Sequence, residues 1–258
     1  MEGSSASIGF ENTRPLVSII TIVFNGEKTI QRTLESVKRQ TYLNIEHIII
    51  DGGSTDKTLE IIKRFESSIT FWHSEKDNGI SDAFNKGIGA AKGIIIGFLN
   101  ADDWYNPNTI ETIIPYFNQF SVVYGDVQFW EDDEIKHRTY ADHSKLKQGM
   151  TLAHPAVFVK RSMYEKYGVF NVNYKIAMDY EFIARLYFNQ ESFHNIHGVL
   201  VNMSLGGLSD RNWLKAFKEE KKVKSLYLGV IRSNYFFLKQ TLLFSFQRFC
   251  LWMQSFID

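Results

Sequence analysis

The chain has 258 residues, is 44% hydrophobic, and balances 29 Lys+Arg against 29 Asp+Glu. That length suits one large domain, or one domain with an appendage, and zero net charge gives no sign of a nucleic-acid partner. A single cysteine, Cys250, excludes an intrachain disulfide and a cysteine-built zinc site, and fits a reducing compartment.

Residues 1–14 are polar and rich in small side chains, without the charged-then-apolar order of a secretory signal, and read as a disordered lead-in. "LVSIITIVF", after Pro15, is an apolar, β-branched run of strand length. "NGEKTIQRTLESVKRQ" follows, with Ile30, Leu34 and Val37 at helical spacing. "IEHIIIDGGSTDKT" repeats the plan and leads into a helix carrying Leu59, Ile61, Ile62 and Phe65. "SITFWHSEKD" predicts a third strand, "GISDAFNKGIGAAKG" a helix and "IIIGFLN" a fourth strand. Such alternation predicts an α/β fold with a mostly parallel sheet covered by helices on both faces. From about 106 to 208 the pattern is less regular, with strand candidates "SVVYGDVQFW", "HPAVFV" and "HGVLVNM" and one clear helix, "AMDYEFIARLYFNQ".

Ligands of open parallel sheets bind beyond the carboxyl ends of the strands. Asn25 follows strand one, Asp51 strand two, Asp77 strand three, and Asn100, Asp102 and Asp103 strand four. Carboxylates gathered there without cysteine suit a hard cation, Mg²⁺ or Mn²⁺, that also binds substrate phosphates and stabilises a diphosphate leaving group. Each residue also has a local reading. Asp102 suits a helix N-cap in the turn sequence "DDWYNP". Asp51 suits a β-to-α turn, although a carboxylate at that strand end can also accept from an imide N–H such as uracil's. A dinucleotide fold is disfavoured, because "FNGEKT" lacks Gly-x-Gly-x-x-Gly, and no Gly-x-x-x-x-Gly-Lys-Ser/Thr loop occurs.

"PLVSIITIVFNGEKTIQRTLESVKRQTYLNIEHIIIDGGSTDKT" with "DNGISDAFNKGIGAAKGIIIGFLNADDWY" resembles bacterial family 2 glycosyltransferases of the GT-A fold, closest to those that build exopolysaccharides, capsules and O-antigens. The resemblance continues through "GDV", "HPAVFVKRSMYEKYGVFN", "AMDYEFIARL" and "NMSLGGLSD", about three quarters of the chain. It implies inverting transfer from a nucleotide-diphosphate sugar, most often UDP-linked, with a divalent cation, to a saccharide or lipid-linked acceptor. On this resemblance Asp51 binds the uracil ring, Phe24 and Asn25 line the base pocket, and Asp77, Asn85 and Lys86 border the nucleotide. Asp102 lies near the ribose and Asp103 holds the metal, although Asn-Ala-Asp-Asp departs from the literal Asp-x-Asp form and leaves that division open. The general base corresponds to Asp179, with Glu181 as fallback; a helix-start charge is the other reading of Asp179. His154 falls on the acceptor side or is a structural histidine. Gly206 and Gly207 match a mobile donor loop or form an ordinary turn. The implied division is a glycosyltransferase domain over 15–212, nucleotide-binding through 105 and acceptor-binding from 106. Its competitors are a nucleotidyltransferase making a sugar nucleotide, and a non-catalytic sugar-nucleotide-binding protein.

After residue 212 the chain carries eight Lys/Arg against three Asp/Glu. "WLKAFKEEKKVKSLYLGV" reads as a basic amphipathic helix, and Leu238, Leu242, Phe246, Phe249, Met253 and Phe256 form one apolar stripe in the next. This tail, 213–258, reads as an in-plane membrane anchor or as a helix packing on the domain or a second subunit. No run of 18 apolar residues occurs, so a spanning helix is not expected. The implied location is cytoplasmic, peripheral on the inner face of the cell membrane.

Overall fold

The computed structural model describes residues 14–207 and 211–254, with side chains described through residue 246. In chain order it forms β1 (Val17–Val23), α1 (Ile30–Lys38), β2 (Ile45–Asp51), α2 (Thr58–Arg64), β3 (Phe71–Ser74), α3 (Ile80–Ala90) and β4 (Ile95–Phe98). There follow β5 (Trp104–Tyr105), α4 (Thr109–Ile113), β6 (Val122–Glu131), β7 (Glu134–Thr139), β8 (Val157–Lys160), α5 (Arg161–Tyr167), α6 (Met178–Phe188), β9 (Phe193–Ser204) and α7 (Trp213–Gln254).

One sheet runs β3-β2-β1-β4-β8-β6-β9-β5, with β7 added to β6. β1 to β4 are parallel to one another, β8 is antiparallel to both β4 and β6, and β6 is parallel to β9. The unbroken isoleucine run of β2 reflects burial on both faces. Ile48 and Ile50 pack with Phe84 of α3, while Ile49 packs with Ile30, Leu34, Ile61 and Ile62 of α1 and α2. Successive strand side chains point to opposite faces, so each layer of helices finds an apolar floor.

The tail folds back on itself. Gly229 interrupts α7 at φ 77°, ψ 167°, a conformation glycine reaches without penalty. Beyond it the chain runs antiparallel to the first helical segment, placing Phe244 against Trp213 and Phe217, and Lys221 over the Phe237 ring. The first segment docks on α6: Val223 is buried in the main core and Tyr227 stacks on Phe188 at 4.3 Å. Leu238, Leu242 and Phe246 stay exposed on the outer segment; the expected continuation of that stripe at Phe249, Met253 and Phe256 lies outside the described side chains. Among the described residues no helix is long and apolar enough to cross a membrane.

Candidate active site

The parallel register sets Val23 beside Asp51, Asp51 beside Ser74, and Ile20 beside Phe98, so the segments after β1, β2, β3 and β4 share one sheet edge. The first two loops are stitched together there. Asn25, in the left-handed region at φ 52°, accepts from the Thr55 N–H at 2.9 Å, and its own N–H donates to Ser54 Oγ at 2.7 Å. Asparagine tolerates that backbone better than most residues. Gly26 N–H donates to Thr58 Oγ1 and Glu27 N–H to Asp56. Phe24, at the rim beside them, is 64% exposed.

Asp51 has no exposed surface. Its Oδ2 accepts from the Gly53 and Ser54 N–H groups and from Ser74 Oγ at 2.6 Å, and its Oδ1 from Ser54 Oγ at 2.5 Å. The turn reading of Asp51 is therefore realised, and a base would reach Oδ1 only in exchange for the Ser54 hydroxyl. Asp77 accepts from Gly79 N–H and packs so closely on Gly52 that a Cβ there would sit 2.6 Å from Asp77 Oδ2.

Asp102 and Asp103 differ sharply. Asp103 is 1% exposed, with Oδ2 accepting from Asn100 Nδ2 at 3.1 Å and Oδ1 from Ser204 N–H at 3.3 Å. Burial, and then the charge of Asp102, push its carboxyl well above the usual carboxylate range. Asp102 is half-buried, and among the described residues no side chain donates to its carboxylate; burial raises it too. Asp102 caps no helix: the chain continues into β5, and the following helix starts at Thr109. The turn is held from α1, where Thr33 Oγ1 donates to the Asp103 carbonyl at 2.7 Å. Arg32 Nη2 donates to the Asp102 carbonyl and to Ser204 Oγ, with its guanidinium 3.5 Å from the Trp104 ring centroid.

Among the described residues no group of three His, Cys, Asp or Glu side chains forms a complete metal cage. The donor chemistry nevertheless fits Mg²⁺ or Mn²⁺, which are held by one or two carboxylates together with substrate phosphates and water. Asp102, half-buried, and Asp103, buried, are the carboxylates of this turn that could hold such a cation.

Asn85 and Lys86 are engaged within the fold. Asn85 pairs with both the N–H and the carbonyl of Phe170, and Lys86 pairs with Glu75 at 2.6 Å and Asp82 at 3.1 Å.

Asp179 lies in the first turn of α6, accepting from the Tyr180 N–H at 2.7 Å. Burial first, then the charges of Glu220 and Glu219, raise its carboxyl to about 7. That value is poised for base chemistry at neutral pH. Glu181 is committed elsewhere, to Arg185 at 2.9 Å. His154 stacks on Phe98 at 4.8 Å with Phe84 and Phe170 at its edges, and burial among these rings holds it neutral, with its pKa down to about 3. Gly206, at φ +83°, and Gly207 follow β9, and the Arg211 N–H reaches the Gly207 carbonyl. Residues 208–210 of the expected donor loop lie outside the described residues.

Several supporting groups were not foreseen from sequence: Arg32, Ser54, Ser74, Ser204, Glu219 and Glu220. Ser54 alone carried a signal, as part of the "DGGSTD" turn. The others act across tens to more than a hundred residues, and no local pattern marks them.

Comparison with known proteins gives a consistent picture. The family model described as glycosyl transferase family 2 matches residues 18–193. A "PGL/p-HBAD biosynthesis glycosyltransferase" of Mycobacterium bovis is 30% identical over 214 residues, covering 78% of this chain and 83% of that protein. An "uncharacterized glycosyltransferase" of Mycobacterium tuberculosis is 35% identical over 179 residues, covering 66% and 68%. In structure, S. aureus TarS 1–349 in complex with UDP-GlcNAc is similar with TM-score 0.68 at 15% identity, covering 86% of this chain and 70% of that one. The mannosyltransferase PcManGT of Pyrobaculum calidifontis, in complex with GDP-Man and Mn²⁺, gives 0.64 at 16% identity, covering 87% and 70%.

Proposed function

The chain belongs to glycosyl transferase family 2, and from that premise we propose that it transfers a sugar from a UDP-linked donor, with inversion, to a saccharide or lipid-linked acceptor in cell-surface polysaccharide synthesis. The observation that supports this reading is the single end of the sheet where β1 to β4 finish together, with Asp51 closing β2 and Phe24, Asn25, Asp77 and Asp102 on the segments that follow β1, β3 and β4. Family membership leaves the nucleotidyltransferase and non-catalytic readings without support.

Phe24 offers the base a stacking face, and Asp51 accepts the imide N–H once the Ser54 hydroxyl swings away. Asn25, Asp77, Asn85 and Lys86 border the nucleotide through the loops they brace. The burial contrast supports exchanging the roles expected from sequence: Asp102 contacts the cation, and Asp103, tied to Asn100 and Ser204, braces the turn. When bound, the divalent cation neutralises the donor diphosphate and so stabilises the leaving group. Asp179 takes the acceptor hydroxyl proton as the acceptor oxygen bonds to the anomeric carbon. The anomeric carbon–oxygen bond to the diphosphate breaks in the same displacement, and the nucleotide diphosphate departs with the electron pair. His154, neutral and set among aromatic rings, serves as an apolar wall on the acceptor side, and Gly206 and Gly207 allow the following loop to move.

Calorimetry with UDP, UDP-GlcNAc and GDP-Man, with and without Mn²⁺, tests the donor site. Mn²⁺-strengthened binding of a UDP ligand, lost in Asp102→Ala, is expected; no binding of any of the three overturns the reading.

The outer segment of the C-terminal hairpin supports peripheral attachment to the inner membrane face. Ile231, Tyr235, Leu238, Leu242 and Phe246 are exposed at helical spacing, with Arg232 and Lys239 beside them, the mixture suited to an anionic lipid surface. Co-flotation with phosphatidylglycerol vesicles that disappears in the double variant Leu238→Glu/Leu242→Glu is the expected result. Loss of a dimer in sedimentation, with no flotation by either protein, would assign the stripe to a second copy instead.

A further inference from the structure

The helix that carries Asp179 begins without a cap of its own. Its N-cap residue is Ala177, whose side chain makes no hydrogen bond to the first turn. Uncapped N–H groups at a buried helix start are costly. Only the N-cap N–H and the approach to the helix are held from elsewhere: Glu219 of α7, 8% exposed, accepts from the N–H groups of Lys175, Ile176 and Ala177 at 2.9–3.1 Å, while the Tyr180 N–H of the first turn goes to Asp179 itself. One carboxylate thus binds three consecutive amides, and an anion at this helix end is also favoured by the macrodipole.

The next residue is held as firmly. Glu220 pairs with Lys224 at 3.1 Å; Lys224 has no exposed surface and also donates to the Gln148 carbonyl at 2.7 Å and to Gln240 Oε1 at 3.1 Å. Gln240 Nε2 returns to Glu220 Oε2, so both arms of the hairpin close one network. A fully buried lysine is retained only when paired and hydrogen-bonded in this way. The charges acting on Asp179 are Glu220 and Glu219 from the hairpin; Glu220 is itself paired with Lys224, and Glu181, two residues on in α6, is paired with Arg185.

We propose that the C-terminal hairpin is a working part of the catalytic centre: Glu219 is a positioning residue that clamps the turn presenting Asp179, and the Glu220–Lys224–Gln240 network holds both arms of the hairpin in place behind it. This rests on Asp179 being the base. The hairpin is then more than an attachment device, because the base is held in place by residues some 40 positions downstream, on an element that follows the family-matched segment, residues 18–193.

The test uses the full chain with Glu219→Gln and Glu220→Gln, both near-isosteric. Carboxyl ¹³C NMR, with the Asp179 signal identified by its loss in Asp179→Asn, reads the midpoint of Asp179. It should lie near 7 in the wild type and fall by about half a unit or more in each variant, since removing a negative neighbour and admitting water both favour the ionised form. Hydrogen exchange at Ile176 and Ala177 should rise about tenfold in Glu219→Gln, as expected for local opening of a released turn. UDP release from UDP-GlcNAc, with water as acceptor, should lose kcat with KM little changed, and its acidic limb should move with the midpoint. A fall in melting temperature alone, with midpoint, pH limb and kcat unmoved, would make Glu219 a structural clip and overturn the proposal. So would a wild-type midpoint near the ordinary value of about 4. UDP release that is indifferent to Asp179→Asn, alongside shifted midpoints, locates the failure in the base assignment and not in the clamp.

Discussion

The proposed donor edge and the proposed base region solve the same problem, holding carboxylates in place, by opposite means. At the donor edge the strands do the positioning, and bracing comes from adjacent loops: Asp51 is bound by Ser54, Gly53 and Ser74, and Asn25 by Ser54 and Thr55. In the base region no strand aims Asp179. A helix with an alanine at its N-cap presents it, and Glu219 of the hairpin, 40 residues further on, holds the turn that leads into that helix. A site built on parallel strand ends is thus rigid by construction, whereas one built on a helix start is as rigid as whatever caps it.

The sharpest division between the regions is in turnover. Asp179→Asn should lower UDP-sugar turnover by about 10²–10⁴-fold with the donor Kd from calorimetry unchanged; an equal loss of donor affinity would erase the division. Wild-type turnover should rise with pH through about 7 as the base ionises, and the variant's residual rate should lack that limb. Asp51→Ala should cost about 1–3 kcal/mol of stability, because buried donors of Ser54, Ser74 and Gly53 lose their acceptor; a lowered urea midpoint checks this. Asp102→Ala should weaken Mn²⁺-supported donor binding by at least about tenfold, or about 1.4 kcal/mol, with thermal stability retained. Asp103→Ala should do the reverse, losing stability first.

A smaller effect separates the regions through pH. The Asp179 carboxyl titrates higher in the folded chain than in the unfolded one, so the folded chain holds more protons between about pH 4 and 7 and loses stability as pH rises through that window. Asp179→Asn should therefore raise the melting temperature by a few degrees at pH 8, about the size expected of a modest stabilisation, and leave it unchanged at pH 4. The smallest effect belongs to the donor edge. Lys86→Ala removes partly exposed pairs with Glu75 and Asp82 and should change stability by no more than about 0.5 kcal/mol in thermal melts.

Much of the first half was legible. Continuous isoleucine runs require a strand covered on both faces, and the helices between them carry one apolar stripe each, so β1 to β4 and α1 to α3 follow from pattern. The second half was less so. β5 has only two residues, and β7, "EIKHRT", is exposed along its whole length and carries no alternation of apolar and polar residues to announce it. α5, "RSMYEKY", is a two-turn helix too short for a periodic signal. The antiparallel placement of β8 between β4 and β6 depends on a long connection that no local signal specifies.

The sequence by itself determined the family, the α/β class and the strand-end positions of Asn25, Asp51, Asp77, Asp102 and Asp103, because side-chain periodicity and strand polarity are local properties of the chain. Tertiary structure decided which of two adjacent aspartates is tied into the fold, since that depends on Asn100 and on Ser204, a hundred residues away. It also decided that the tail turns back at Gly229 and that Glu219 holds the turn leading into the helix of Asp179. Burial and capping are properties of packed neighbours, and the neighbours that matter here are distant in sequence.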